Sequence, residues 1–303
     1  HLFSVLMKPA ETTQIKKFIR RMISIILVFL IMDFAVGSVL RIVYYSQENK
    51  YTYGLLETQA DIIIVGSSRA QHHYVPSIFN DSLGLSCFNL GSGGQNIYYH
   101  YAVIKSILDR YKPKLILLDL MNIDYSETDE THNTDKLSIL LPYYNDCTGV
   151  KEVIRLRSSW EKFKTLLKSY PYNSQISSII YAHIKKGRNP DLIMQGYIPI
   201  TGTIDSTTFI DGKDAVYPFD LRKVEYIEKT IAICKQNNVE LIMLISPVFI
   251  NTINNAIENN LIEGIALENG IEIWSYKSDS QFINNRYYFK DNMHLNEYGS
   301  KAY

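Results

Sequence analysis

The chain has 303 residues, 46% of them hydrophobic and 20% charged, which suits one large α/β domain with extra segments and excludes a disordered chain. Lysine plus arginine and aspartate plus glutamate number 31 each, so the formal charge is zero and no nucleic-acid partner is expected. Cys87, Cys147 and Cys234 match neither a zinc knuckle nor a redox pair and read as buried free thiols; the seven histidines show no ligand spacing, so neither metal nor cofactor is expected.

The first element is an apolar run from Met22 to Leu40 whose single charge is Asp33, preceded by Lys8, Lys16, Lys17, Arg20 and Arg21. As a helix it spans about 30 Å of hydrocarbon, and the one-sided basic flank keeps the N-terminus in the cytoplasm. A cleaved signal peptide would have a shorter apolar region and a small-residue cleavage site, so the run reads as an uncleaved signal anchor that leaves the rest of the chain outside the cytoplasm. A buried core helix is the alternative, and the basic flank speaks against it. Asp33 is a cost within such a span. The expected organisation is a basic cytoplasmic segment over 1–21, a transmembrane anchor over 22–45, a polar linker over 46–60 and a folded domain over 61–303. The chain begins at His1, so Met7 is a candidate start, and either end could be a fragment of a reading frame.

Beyond the linker, apolar runs bounded by turn residues predict strands at Asp61 to Val65, Leu85 to Leu90, Lys114 to Leu120, Val239 to Ser246 and Ile271 to Trp274. A helix with Ile97, Tyr101, Ile104 and Leu108 on one face lies between the second and third, and one with Val224, Ile227, Ile231 and Cys234 precedes the fourth. Strands alternating with helices predict an α/β fold: a doubly wound parallel sheet of about five strands in flavodoxin-like order. Residues 125–215 break the pattern with helical segments around Val150 to Lys168 and Ser174 to Lys186. So long an excursion reads as a helical cap inserted near the active edge.

Ligands of open α/β sheets collect beyond the carboxyl ends of the strands. There the first strand runs into Gly66-Ser67-Ser68-Arg69, a glycine turn that exposes a serine and its N–H at a helix start. The second ends in Gly91-Ser92-Gly93-Gly94-Gln95-Asn96, able to present bare backbone N–H groups, and the third in Leu120-Met121-Asn122, which offers a side-chain amide. After the fifth comes Asp291-Asn292-Met293-His294-Leu295-Asn296-Glu297-Tyr298-Gly299.

In that order these blocks resemble the SGNH/GDSL hydrolase superfamily, over roughly residues 61–303 apart from the excursion. The resemblance implies a serine hydrolase with catalytic Ser68, Asp291 and His294 and an oxyanion hole formed by Ser68, Gly94 and Asn122. Each block alone is weak; the specificity lies in the ordered set. A second Asp-x-x-His, Asp129 to His132, lies at the start of the excursion, whereas the C-terminal copy follows the last strand and continues as His-Leu-Asn-x-x-Gly, as in the family. His294 would take the serine proton and return it to the leaving group, and Asp291 would fix the imidazole tautomer.

Two blocks depart from the family. Ser67 stands where the family has aspartate, which leaves Ser67 beside Ser68 as a nucleophile candidate, with Gly66 aligning Ser68. Leu-Met-Asn-Ile replaces Gly-x-Asn-Asp, so Asn122 also reads as a turn-forming asparagine. Gly91 and Gly93 compete with Gly94 as oxyanion donors, and Ser68 alternatively reads as a helix cap.

The implied reaction is hydrolysis of small acyl esters, acetyl foremost, on an envelope or extracellular carbohydrate. The same triad could pass the acyl group to a sugar hydroxyl, making an O-acetyltransferase of a cell-surface polysaccharide. A non-catalytic glycan-binding protein that keeps the fold is the third reading, opposed by the complete triad. The absence of Gly-x-Ser-x-Gly argues against a lipase elbow.

Overall fold

The computed structural model describes residues 9–127, 134–184, 192, 194–205, 218–249 and 253–303. The second Asp-x-x-His, residues 129–132, lies outside the described residues.

Five strands form one parallel sheet: β1 (Ile62–Gly66), β2 (Cys87–Asn89), β3 (Leu115–Asp119), β4 (Glu240–Ile245) and β5 (Glu272–Ser275), ordered β2-β1-β3-β4-β5. That is the flavodoxin-like, doubly wound order expected of an SGNH-type hydrolase fold, and each strand lies within about two residues of its predicted place. Successive side chains of β1 alternate between faces. Ile63 and Val65 enter the large core, with Ile104, Ile107 and Ile227, while Ile62 and Ile64 enter a smaller one, with Leu117, Ile242 and Leu244. Burial on both faces is why these strands read as unbroken apolar runs.

The helices end where local chemistry stops them. Asn96 caps the helix Ile97–Arg110 by accepting a bond from the Tyr98 N–H, and Pro113 lies just beyond its end. Asp220 caps Leu221–Gln236 through the Arg222 and Lys223 N–H groups. Both helices cover the large core. Cys87, Cys147 and Cys234 are buried and free, and burial pushes each thiol above its ordinary value.

Over residues 136–184 the excursion is helical but more broken than its sequence suggests. In place of one segment around Val150 to Lys168 there are Thr148–Ile154 and Glu161–Lys164, separated where the Ser158 hydroxyl accepts the Trp160 N–H and turns the chain. Next come a 3₁₀ helix, Tyr170–Gln175, and the helix Ile176–Ile184.

Helix Pro9–Tyr45 is long and apolar enough, over Thr13–Tyr45, to cross a membrane. Its C-terminal part rests on the excursion: Arg41 and Tyr45 reach Asp146, at 3.1 and 2.8 Å, and the Tyr44 and Tyr143 hydroxyls lie 3.0 Å apart. The 46–60 segment is folded onto the domain: Lys50 is buried and donates to the carbonyls of Gly91 (2.7 Å) and Gly196 (3.2 Å).

Candidate active site

At the carboxyl edge of the sheet, β1 turns sharply into a six-residue helix, Ser68–His73. Gly66 makes the turn possible: a Cβ there would lie 2.6 Å from Ala70 Cβ and 2.7 Å from the Asp119 carbonyl oxygen. Ser68 is the first helical residue and is half-buried, whereas Ser67 is buried and its hydroxyl donates to the Met121 sulfur at 2.6 Å.

The Asp291–His294 loop meets this helix from the other end of the chain. His294 Nε2 lies 2.8 Å from Ser68 Oγ, and His294 Nδ1 lies 2.9 Å from Asp291 Oδ2 and 3.0 Å from Oδ1. Asp291 Oδ1 also accepts the Met293 and His294 N–H groups, each at 2.9 Å. Burial alone would raise the Asp291 pKa, but the His294 ring bond and these N–H groups hold it below the ordinary carboxylate value. An ionised Asp291 accepts a hydrogen bond from the His294 Nδ1–H, and in that tautomer Nε2 carries the lone pair toward the Ser68 hydroxyl.

What holds the loop was not apparent in the sequence. Phe289 and Leu295 form an antiparallel bridge, the Lys290 N–H donates to the His294 carbonyl at 2.9 Å, and both apolar side chains are fully buried. The Leu295 N–H donates to His73 Nε2 at 3.0 Å, and His73 Nδ1 lies 3.0 Å from Ser246 Oγ at the end of β4. Accepting at Nε2 places the His73 proton on Nδ1, directed at Ser246. The helix Ser68–His73 therefore grips the histidine loop through a buried neutral imidazole. His72 packs its ring edge-on to His294 at 5.7 Å, and its Nδ1–H donates to the Ile198 carbonyl at 2.7 Å. The available clue to both was spacing: His72 and His73 sit one helical turn beyond Ser68.

The expected oxyanion donors stand on neighbouring turns at the same edge. Of the three loop glycines after β2, Gly91 gives its N–H to Asn89 Oδ1 (2.8 Å) and Gly93 gives its N–H to Gln71 Oε1 (2.7 Å). Among the described residues the Gly94 N–H has no acceptor. Gly94 adopts φ +71°, which favours glycine, and packs against the Lys136 side chain. Asn122 opens a 3₁₀ turn, Asn122–Asp124, directly after β3. Two buried groups anchor that turn: Asp124 accepts the Met121 N–H at 2.9 Å, and Lys223 donates to the Ile123 and Ser126 carbonyls at 2.9 and 2.8 Å. A further buried cluster underlies the serine, with Arg69 Nε 3.5 Å from Asp119 Oδ1 and the Tyr74 hydroxyl donating to Asp119 at 2.5 Å.

Fold and site define a doubly wound α/β protein with a serine, histidine and aspartate in hydrogen-bond series. No protein-family model matches the chain, and no curated protein matches it. Solved structures of similar fold include a protein described as an acylhydrolase from Bacteroides fragilis, at 14% identity and TM-score 0.38, covering 79% of this chain and 80% of that one. A protein described as lipolytic, of the G-D-S-L family, from Desulfitobacterium hafniense has 9% identity and TM-score 0.38, with 79% and 91% covered. One described as a platelet activating factor from Streptococcus pneumonia has 13% identity and TM-score 0.41, with 93% and 94% covered. At such values the chemistry of this chain rests on its own atoms.

Proposed function

We propose that this chain is a serine esterase of SGNH/GDSL type that removes small acyl groups, acetyl foremost, from an envelope or extracellular carbohydrate. The observation that carries the reading is the unbroken series Ser68 Oγ, His294 Nε2, His294 Nδ1, Asp291 at 2.8 and 2.9 Å. Ser68 Oγ attacks the ester carbonyl carbon while its proton passes to His294 Nε2. Asp291 stabilises the imidazolium, and the N–H groups of Ser68 and Gly94 with the Asn122 amide take the tetrahedral oxyanion, at about 3 kcal/mol per donor. Collapse expels the alcohol, which takes the proton from His294 and leaves an acyl-Ser68 ester. Water, deprotonated by His294, then releases the acid and restores the serine.

The small-acyl preference is supported by the composition of the surrounding loops. Gly91-Ser92-Gly93-Gly94-Gln95-Asn96 and Asp291-Asn292 are small and polar, suited to sugar hydroxyls and unlike the lining of a fatty-chain groove. The anchor reading adds that an extracytoplasmic domain would meet polysaccharide as its nearest ester-bearing polymer.

The test is turnover of chromogenic esters of increasing chain length, with fluorophosphonate labelling of the parent and of Ser68→Ala. Acetyl ester should be cleaved fastest, and only the parent should be labelled. Faster cleavage of long-chain esters would overturn the small-acyl reading, and labelling of Ser68→Ala would overturn the nucleophile. Acetyl appearing on added glycan would reassign the protein as an O-acetyltransferase.

A further inference from the structure

Helix Pro9–Tyr45 carries an inconsistency of length. Its charge-free stretch before Asp33, Met22 to Met32, is eleven residues, about 16 Å at the helical rise, roughly half of a hydrocarbon core. At Asp33 the helix already meets the excursion: the carboxylate accepts the backbone N–H of Lys168 (2.7 Å) and of Ser169 (3.2 Å) and the Ser169 hydroxyl. One turn on, Gly37 is buried against Lys168 and Ser169, so closely that any side chain would collide with them. Yet the outward face of the same helix stays apolar and exposed at Phe34, Val36, Val39 and Ile42. If those residues are to lie in lipid, the segment gripped by Asp33 and Gly37 lies at the same depth.

That segment is built for such a position. On either side of Lys168–Ser169 the excursion exposes Trp160, Phe163, Leu166, Ile176, Ile180 and Ile184, with Leu166 and Ile184 each 76% exposed. The 3₁₀ helix Tyr170–Gln175 between these clusters packs against both the long helix and Ile176–Ile184, so the apolar surfaces are contiguous with the anchor. The surrounding charge is positive: residues 151–184 hold six lysines and arginines against two acids, in a chain of zero net charge. An apolar face with tryptophan, bordered by basic residues, is the composition of an element lying at the headgroup–acyl boundary of an anionic bilayer.

We propose that residues 156–184 are a second membrane element, embedded in the leaflet on the domain's side and clamped to the anchor by Asp33. The inference rests on the long helix being a membrane anchor, but not on the esterase reading. Asp33 is then satisfied within the apolar zone by two backbone N–H groups and a hydroxyl, and the catalytic domain is held against the membrane surface instead of swinging on a tether.

The 303-residue chain contains two tryptophans, so Trp274→Phe leaves Trp160 as the only one within it. This protein is placed in phosphatidylcholine–phosphatidylglycerol vesicles with plain or acyl-brominated lipid; Trp274→Tyr serves if the phenylalanine variant does not fold. Trp160 emission should be blue-shifted and severalfold weaker in the brominated vesicles. Trp160→Phe, whose remaining Trp274 belongs to a cavity on the opposite face of the sheet, should be unaffected. Trp160 emission unchanged by bromine, whether the residue is open to aqueous acrylamide or covered by a second copy of the chain, would overturn the inference. Retention of that protein in the membrane pellet at alkaline pH would leave the anchor reading standing, and its release would overturn both.

Discussion

The hydroxyls of Ser67 and Ser68 have different partners, Met121 sulfur for one and His294 Nε2 for the other, although their backbones are adjacent. Ser68→Ala is expected to cut ester turnover by a factor on the order of 10⁴ or more, and Ser67→Ala to keep most of it, as measured by p-nitrophenyl acetate hydrolysis. The opposite ranking would move the nucleophile by one position. His73 makes a second prediction at this scale. Burial, then the nearby Arg69, hold its pKa well below the ordinary value, so the folded protein keeps it neutral. As pH falls below about 6.5 the unfolded chain binds a proton that the folded chain refuses, so its contribution to stability is full above that value and is lost toward the folded pKa. Urea midpoints should therefore fall between about pH 7.5 and about pH 5.5, and His73→Gln should flatten that fall. An equal slope in both proteins would show that His73 is not the group responsible. His72, shifted the same way chiefly by burial, supplies the remaining slope in the variant.

Among the elements, the turns after β1 and β3 present Ser68 and Asn122, and each depends on one residue outside the proposed chemistry. Lys223 donates to two carbonyls of the 122–126 turn from the helix Leu221–Gln236. Lys223→Met leaves the buried Ser126 carbonyl and the partly buried Ile123 carbonyl without their donor, at a cost of about 1–3 kcal/mol for the buried one before relaxation, and frees the turn that presents Asn122. Chemical denaturation should show the lost stability, and acetyl-ester kinetics should show a lower kcat with less change in KM, because an oxyanion donor acts mainly in the transition state. Unchanged kcat in a destabilised but folded variant would remove Asn122 from the oxyanion reading. At the first turn, Gly66→Ala would force apart Ala70 and the Asp119 carbonyl, displacing Ser68 from His294, and should cost about 1–3 kcal/mol as overpacking does.

For the molecule as a whole, the remaining expectation is orientation. Basic residues on one side of the apolar helix lead us to expect the N-terminus in the cytoplasm and the sheet domain outside. Reporter fusions after residue 60 should be active only in the extracytoplasmic compartment for a reporter that needs export, and cytoplasmic activity would reverse the topology. Much of the architecture was legible beforehand because β1, β3 and β4 are buried on both faces, and such strands must be apolar throughout. The excursion was less legible because its helices are short, and local bonds such as Ser158 to the Trp160 N–H override their periodicity. The candidate site was legible as an ordered set of blocks, since the first three follow strand ends that can be read from composition and the last continues as His-Leu-Asn-x-x-Gly near the C-terminus. By itself, then, the sequence determined the strand content, the winding and the residue types offered at the sheet edge, all of which follow from local patterning of apolar residues and turn formers. Only the tertiary structure decided which groups meet: that His294 faces Ser68 and not Ser67, that Gly91 and Gly93 spend their N–H groups on Asn89 and Gln71, and that Asp33 closes on Lys168 and Ser169. Those pairings join residues up to 226 positions apart, and a hydrogen bond depends on ångström distances that no local pattern encodes.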